Sequence, residues 1–403
     1  MDSDGACSDS GQSDHGNGVS LVSPQLAISQ AAYYTKSDKI RDFLASKNVQ
    51  AWVELAHIRM KVWQSEEAGK HFEMQRENAD GAAQNIETQV GFLKMMLGFA
   101  NEIQDGTGVF TSVRPKNPRS VLRKPVRCLD TSAAPGALAQ YFLRQNPRAT
   151  VDGLSLPVES GGYPMLLECA NKILGVRPRP QDKDTVNITW TDITLHPLFL
   201  PQGKEYPEEF PDKPAFDNNP PLPPHLQFPP SKPSDRVYDI VLTSSRYLRR
   251  CVHAQLRPWE AGRLQVSQLI LGLSFVKPGG SMLIVLHNLE SWNTFATVYK
   301  LSRIANITLY KPEKCHAIRS SFHLIATNVQ PELEVCKVWV EKLKQAWYTM
   351  TFGGEEGLGS LVEVGEGLNV DTILDEWGEE FVVLGQNVWK RQLDALKRKG
   401  WVE

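Results

Sequence analysis

The feature that most constrains the fold is an alternation of short strand-like runs with helical stretches, which begins at Val126 and ends near Arg303. Parallel strands need a crossover of a dozen or more residues, and a helix usually supplies it. The alternation therefore predicts an α/β fold with a mostly parallel sheet and helices on both faces. The predicted strands of this region are residues 126–129, 149–154, 186–190, 238–243 and 281–286.

Two further strand-like runs, at residues 305–309 and 322–326, are joined by too few residues for a crossover helix. We therefore expect them to be antiparallel neighbours. They complete a predicted sheet of seven strands, mostly parallel with one antiparallel edge strand, which differs from a plain dinucleotide-binding sheet. The sequence also lacks a G-x-G-x-x-G pattern after the first strand, which argues against a nicotinamide dinucleotide.

The regions around this α/β domain, which we place at residues 120–330, differ in character. Residues 1–24 are too polar to be buried and predict a disordered tail. Apolar residues at helical spacing predict a helical N-terminal region at 25–110 and a helical C-terminal extension at 331–403. A Pro-rich segment at 197–236 is long for a loop, and proline cannot continue a helix or a central strand. We expect that segment to be a mobile surface insertion.

Composition narrows the class of protein. The formal net charge of −2 gives no global attraction to nucleic acid, so RNA binding would need a local basic patch. The six cysteines form no C-x-x-C pair, which argues against structural zinc and a dense disulfide framework, and no metal is expected. No signal peptide is evident, and no apolar run approaches the roughly 20 residues that span a bilayer. These features favour a soluble intracellular protein of the cytoplasm or nucleus.

The turn after the first predicted strand reads Leu129-Asp130-Thr131-Ser132-Ala133-Ala134-Pro135-Gly136. In open α/β sheets the ligand lies beyond the carboxyl ends of the strands. The small side chains would let a ligand approach the backbone, and the following helix offers unpaired N–H groups. Asp130 could accept a hydrogen bond from a ligand ammonium or hydroxyl. A tightly packed turn without a ligand explains the same composition.

This turn closely resembles the D-L-x-A-A-P-G loop of the FtsJ-like (RrmJ-type) RNA ribose methyltransferases. Other segments follow in the family's order. They are Thr191-Asp192-Ile193, Tyr238-Asp239-Ile240-Val241-Leu242-Thr243-Ser244 (F-D-L-V-x-S-D in the family), Lys277-Pro278-Gly279-Gly280-Ser281 (L-x-x-G-G-x), and Lys311-Pro312 with Ser320-Ser321-Phe322-His323-Leu324-Ile325-Ala326 (K-P-x-x-S-R…S-x-E-x-Y-x-V). The resemblance covers about residues 126–329, half of the chain.

The resemblance implies a Rossmann-like methyltransferase fold, S-adenosylmethionine as cofactor, and methylation of an RNA ribose 2′-hydroxyl or a related hydroxyl. The loop residues that it assigns to the cofactor are Asp130, Ser132, Ala133, Ala134, Pro135 and Gly136. It implies that Asp192 accepts from the adenine amino group and that Asp239 lies at the end of the cofactor cleft. The family's acidic residue for the ribose hydroxyls is missing, and Ser155 or Glu159 would replace it. Ordinary strand-end caps remain an alternative for Asp192 and Asp239.

The family's catalytic Lys-Asp-Lys-Glu tetrad is largely substituted. Its aspartate falls on Ser244, its second lysine on Val285 and its glutamate on Ser321. His287 shares a strand face with Val285 and could act as a base near neutral pH, whereas the two serines could only hydrogen-bond a substrate. A cap or surface role is the alternative for His287. Lys116 and Lys124 are both possible first lysines.

Three arginines after the fourth strand, Arg246, Arg249 and Arg250, are candidates for RNA contact, with Arg257 and Tyr247 beside them. A solvated helix face is the alternative. Two functions stay open: an enzyme of the FtsJ-like group with altered catalytic residues, or a catalytically inactive module that binds the cofactor, RNA or a protein. The cofactor loop supports both equally, and the partner of the helical extensions is unknown.

Overall fold

The protein, described here by a computed structural model, is built on a central sheet of seven strands. The structure describes residues 24–81, 85–112, 125–175, 185–227, 230, 232–243, 257, 259–354 and 357–401. The strands lie in the order β3-β2-β1-β4-β5-β7-β6. They are β1 (Arg127–Asp130), β2 (Thr150–Ser155), β3 (Val186–Trp190), β4 (Tyr238–Thr243), β5 (Val276–His287), β6 (Asn306–Tyr310) and β7 (Ser321–Val329).

The strand directions confirm the predicted α/β fold with a mostly parallel sheet of seven strands. Strands β1 to β5 are parallel, and β7 is antiparallel to both of its neighbours, β5 and β6. The last two strands are therefore antiparallel neighbours, as their short connection predicts. The antiparallel strand itself lies one place in from the edge, because β6 occupies the edge.

Helices cover both faces of this sheet. They are α1 (Pro24–Ser46), α2 (Gln50–Gln64), α3 (Glu66–Gly81), α4 (Ile86–Thr107), α5 (Val109–Ser112), α6 (Ala137–Gln145), α7 (Leu167–Leu174), α8 (Lys213–Asp217), α9 (Glu260–Phe275), α10 (Trp292–Ser302), α11 (Glu334–Phe352) and α12 (Val370–Arg398). Within the described ranges, no helix combines the length and apolarity that crossing a membrane requires. The predicted tail, apart from Pro24, lies outside the described residues.

The two helical extensions share cores with the sheet. On one face, Phe99 of α4 and Phe142 of α6 are buried in a cluster with Ile240 of β4. On the other face, Trp52 of α2 and Trp389 of α12 belong to the same buried core as the strands. The N-terminal and C-terminal helices also pack against each other, and Lys397 pairs with Glu54 at 2.6 Å.

The prediction that the Pro-rich segment is a mobile surface insertion is wrong for its described residues. Apolar side chains between the prolines are buried. Phe199 packs edge-on against Trp347 of α11 with 5.4 Å between the ring centroids, and Phe210 packs edge-on against Phe352 of α11 with 4.9 Å. Three single-turn 3₁₀ segments and the short helix α8 each have proline in their first two positions, where its missing N–H costs nothing. The segment is therefore packed onto the domain.

The packing of α12 into the main core can be tested by replacing Trp389, which is fully buried, with alanine. We expect the free energy of unfolding, measured by urea denaturation, to fall by about 3–5 kcal/mol because a large cavity replaces the indole. Val383→Ala is the matched control, since Val383 lies on the same helix and is 72% exposed; its effect should stay within about 0.5 kcal/mol. Equal effects of the two variants would show that α12 is not part of the core.

Candidate cofactor and active site

The loop between β1 and α6 is fixed across the carboxyl ends of three strands. Thr131 N donates to Leu242 O of β4 at 3.0 Å, and Ala133 N donates to Leu154 O of β2 at 2.9 Å. The loop therefore extends the hydrogen bonding of β1 to both neighbouring strands beyond its last residue. Its backbone is held at the edge where α/β sheets bind their ligands.

Close packing explains two of the small residues in this region. Gly136 has φ +103°, and a Cβ there would lie 2.6 Å from Leu167 Cδ2. A Cβ on Gly153 of β2 would lie 2.7 Å from the Ala133 Cβ. Ala134 and Pro135 are joined by a cis peptide bond. A packed turn is therefore a sufficient reason for the glycines, and the case for a ligand depends on the polar residues.

Asp130, the last residue of β1, is the polar group that packing does not explain. Its carboxylate is 1% exposed, and Oδ1 accepts a hydrogen bond from Ser132 N at 3.1 Å. The second oxygen, Oδ2, is buried and has no hydrogen-bond partner among the described residues. Burial raises the pKa of Asp130 to about 7. Because buried polar groups are almost always paired, this oxygen points to a missing donor, such as a ligand ammonium.

Two more polar residues lie at the carboxyl ends of the neighbouring strands β2 and β3. Ser155 is the last residue of β2 and is 7% exposed, and Asp192 follows β3 by two residues. Asp192 Oδ1 accepts from Thr194 N at 2.8 Å and from Thr194 Oγ1 at 2.7 Å. Its Oδ2 accepts no hydrogen bond from the described residues. Since neighbouring strands lie about 4.8 Å apart, β1 and β3 end roughly 10 Å from each other.

Asp239 does not lie at this edge of the sheet. It is the second residue of β4, and the parallel register that pairs Cys128 with Ile240 places it at the amino edge of the sheet, opposite to the loop. Its carboxylate accepts from Arg127 N at 2.9 Å and from Lys277 Nζ at 2.7 Å. The expectation that Asp239 lines the end of the cofactor cleft is therefore not met. Glu159 is exposed in the turn after β2.

The structure brings together two of the three predicted catalytic positions. His287, the last residue of β5, lies directly opposite Ser321, the first residue of β7. Val285 faces His323 in the same register. Both His287 and Ser321 are at the carboxyl edge of β5, two strands from Asp130. The third position, Ser244, lies outside the described residues.

Of the arginines near the predicted RNA contact, one is described by the structure and three are not. Arg246, Arg249 and Arg250 lie outside the described residues. Arg257 is described and is 4% exposed, with its guanidinium paired to both carboxylate oxygens of Asp212. It is therefore not available to a phosphate. Among the residues that the structure describes, no group of three His, Cys, Asp or Glu side chains is arranged to hold a metal ion.

Two buried polar residues near the site were not predicted from the sequence to be site residues. Lys311 Nζ donates to three carbonyl oxygens, those of His316, Arg319 and Ser321, at 2.7–2.8 Å. It thereby fixes the segment that leads into β7. The second residue is Gln268 of α9, whose Nε2 donates to Ser132 Oγ at 2.6 Å. The Lys-Pro motif marked the position of Lys311, whereas nothing in the sequence links Gln268 to the loop.

The helical extensions contact the loops next to His287 and Ser321 directly. Arg59 of α2 forms an ion pair with Glu290, three residues after His287, and also donates to Gln392 of α12. Gln392 in turn donates to Ile318 O at 3.1 Å, within the segment that Lys311 fixes. The loops that follow β5 and precede β7 are therefore held from both extensions.

Comparison with known proteins gives likeness of fold alone. No protein-family model matches the sequence, and no curated protein matches it significantly. Human methyltransferase-like protein 13 in complex with SAH has 12% identity over 61% of this chain and 91% of that chain, with a TM-score of 0.30. An O-methyltransferase family protein from Burkholderia thailandensis has 13% identity over 70% and 72%, with a TM-score of 0.32. An rRNA methylase from Streptococcus thermophilus has 12% identity over 52% and 90%, with a TM-score of 0.27. At these values the likenesses assign neither substrate nor residues.

Asp130→Asn tests whether this carboxyl is buried without a partner. Because the pKa of Asp130 rises from 3.8 to about 7 on folding, the folded state keeps a proton that the unfolded chain releases. The free energy of unfolding should therefore fall as pH rises from 4 to 7 and stay lower above 7. Asparagine keeps the oxygen that accepts from Ser132 N and cannot ionise. We expect it to stabilise the protein at pH 8, by at most about 4 kcal/mol, and to have little effect at pH 4.

Urea unfolding at the two pH values is the measurement, with Asp375→Asn on the exposed face of α12 as the control. That control should not give a pH-dependent gain. A variant at position 130 that is less stable than the native chain at pH 8 would show that the carboxylate already has a stabilising partner.

Proposed function

We propose that this protein binds S-adenosylmethionine at the carboxyl edge of β1, β2 and β3 and transfers its methyl group to a hydroxyl, with RNA ribose as the substrate class. The observation that carries the proposal is the buried Asp130 carboxylate, whose Oδ2 has no donor among the residues that the structure describes. A ligand ammonium would supply both the donor and the compensating positive charge.

The other residues of this edge fit the remaining parts of the cofactor. Asp192 presents a carboxylate oxygen that can accept from the adenine amino group, and Ser155 lies between the two acids and can bind a ribose hydroxyl. The span of roughly 10 Å between the ends of β1 and β3 suits a ligand with an amino-acid end and a nucleoside end. The bound cofactor would supply an electrophilic methyl group on a sulfonium.

Methyl transfer to a hydroxyl releases a proton, and His287 is the residue we assign to accept it. The bound cofactor would give up its methyl group to the hydroxyl oxygen and leave as a neutral thioether, and the imidazole of His287 would take the proton that the hydroxyl loses. His287 lies at the same sheet edge as Asp130, with β4 between their strands. The hydroxyl of Ser321, opposite His287, can orient the substrate.

Two observations bear on the substrate and on activity. The ordered motifs between residues 126 and 329 support RNA ribose, and Arg246, Arg249 and Arg250 are the proposed phosphate contacts. Val285 and Ser321 stand where the family has ionisable catalytic residues, which favours the second candidate function. That candidate is a catalytically inactive module that retains the cofactor cleft.

Calorimetric titration with S-adenosylmethionine tests the cofactor site. The dissociation constant should fall about tenfold per pH unit between pH 5 and 7 and level off above 7, because only the ionised Asp130 pairs with an ammonium and its pKa is about 7. Asp130→Asn should lose this pH dependence and bind at least about tenfold more weakly at pH 8. Absence of binding by the native protein would overturn the proposed function.

Methyl transfer from labelled cofactor to total RNA, followed by nucleoside mass spectrometry, tests the reaction. We expect 2′-O-methylated nucleosides, and at least about a 100-fold lower rate for His287→Gln, because loss of a general base typically costs that much. His57→Gln, an exposed histidine on α2, is the control and should keep the native rate. Cofactor binding without transfer would favour the inactive module, and full activity of His287→Gln would exclude that residue as the base.

A further inference from the structure

The Pro-rich segment contributes one side chain, Asn219, to the turn that carries Asp192. Asn219 Oδ1 accepts from Asp192 N at 2.9 Å, and Asn219 Nδ2 donates to Asp192 O at 2.9 Å and to Leu195 O at 2.7 Å. One amide therefore binds both the N–H and the C=O of Asp192. The Asp192 carboxylate is held separately, through Oδ1, by Thr194.

This turn needs support because β3 is the edge strand of the sheet. Among the strands that the structure describes it pairs with β2 alone, and its residues are half-buried or exposed. A turn that follows an edge strand has no strand on its outer side to fix it. Asn219 fills that role, and the neighbouring Thr191 hydroxyl strengthens the connection by donating to Pro220 O at 2.6 Å.

Asn219 is itself rigidly placed. Phe216, three residues earlier, is buried against Phe210 and Phe352. Three residues later, Leu222 N donates to the buried His196 Nε2 at 3.1 Å. The segment on either side of Asn219 is therefore anchored in the core.

We infer that Asn219 is a positioning residue that holds Asp192 so that its Oδ2 accepts from the amino group of the cofactor's adenine, and that it thereby sets selectivity for adenine. This inference rests on the proposed function. If Asp192 Oδ2 is held in place, it accepts a hydrogen bond from a ligand amino group. A ligand with a carbonyl oxygen at that position binds more weakly, because two hydrogen-bond acceptors then face each other and neither has a donor. If the turn becomes loose, Asp192 can move away and the rejection is lost.

The test compares S-adenosylhomocysteine with S-inosylhomocysteine, in which a carbonyl oxygen replaces the amino group, by calorimetric titration. The native protein should bind the adenine ligand at least about tenfold more tightly. Asn219→Ala should weaken the adenine ligand by about 10-fold to 100-fold and the inosine ligand much less, so that the preference falls towards unity. Asn218→Ala is the matched control and should keep the native preference, because the exposed Asn218 side chain donates to Pro214 O within its own helix segment and not to the Asp192 turn.

Asn219→Asp is the second variant, in case the alanine variant does not fold. Aspartate has nearly the same shape but cannot donate to the two carbonyls, so it should also lose the preference. A native preference in either folded variant would overturn the inference while leaving the cofactor site intact. Native protein that binds both ligands equally would overturn the role of Asp192, and with it that of Asn219. Native protein that binds neither ligand would instead overturn the proposed function.

Discussion

The Asp130 carboxylate lies in the core, and the candidate site is organised around it. One of its oxygens accepts a hydrogen bond from the turn, and the other has no partner within the described part of the chain. The backbone cannot relax to pair it, because Thr131 and Ala133 fix the loop to the neighbouring strands. A polar group that is buried without a partner lowers the free energy of unfolding. A ligand that supplies the missing donor would raise it again, which explains why the protein keeps this aspartate.

The other residues of the candidate site are held by parts of the chain that lie far away in sequence. Asn219 reaches the Asp192 turn from the Pro-rich segment, and Gln268 reaches the loop from α9. Arg59 of the N-terminal helix α2 forms an ion pair with Glu290, which follows β5. The Pro-rich segment and the helical extensions therefore hold residues of the site in place. Their aromatic side chains belong to the same buried core as the strands.

Periodic features of the fold could be predicted from the sequence, and long-range contacts could not. The bounds of β3 and β4 agree with those predicted, because each is a short run rich in β-branched residues. The Pro-rich segment has no period that reveals its buried phenylalanines. The misplacement of Asp239 could have been avoided, since its position at the start of β4 already put it at the wrong edge. The contacts of Asn219 join residues 27 positions apart, which no local pattern encodes.

The whole site depends on Asp130 being a buried carboxyl group that ionises when a cationic ligand group binds to it. The carboxyl ¹³C shift of this residue, identified by its loss in Asp130→Asn and followed from pH 4 to 9, measures its ionisation directly. We predict a pKa of about 7 for the free protein and a fall of at least about 2 units with saturating S-adenosylhomocysteine, since an ammonium favours the ionised form. An ordinary pKa near 3.8 that the ligand does not change would contradict the account.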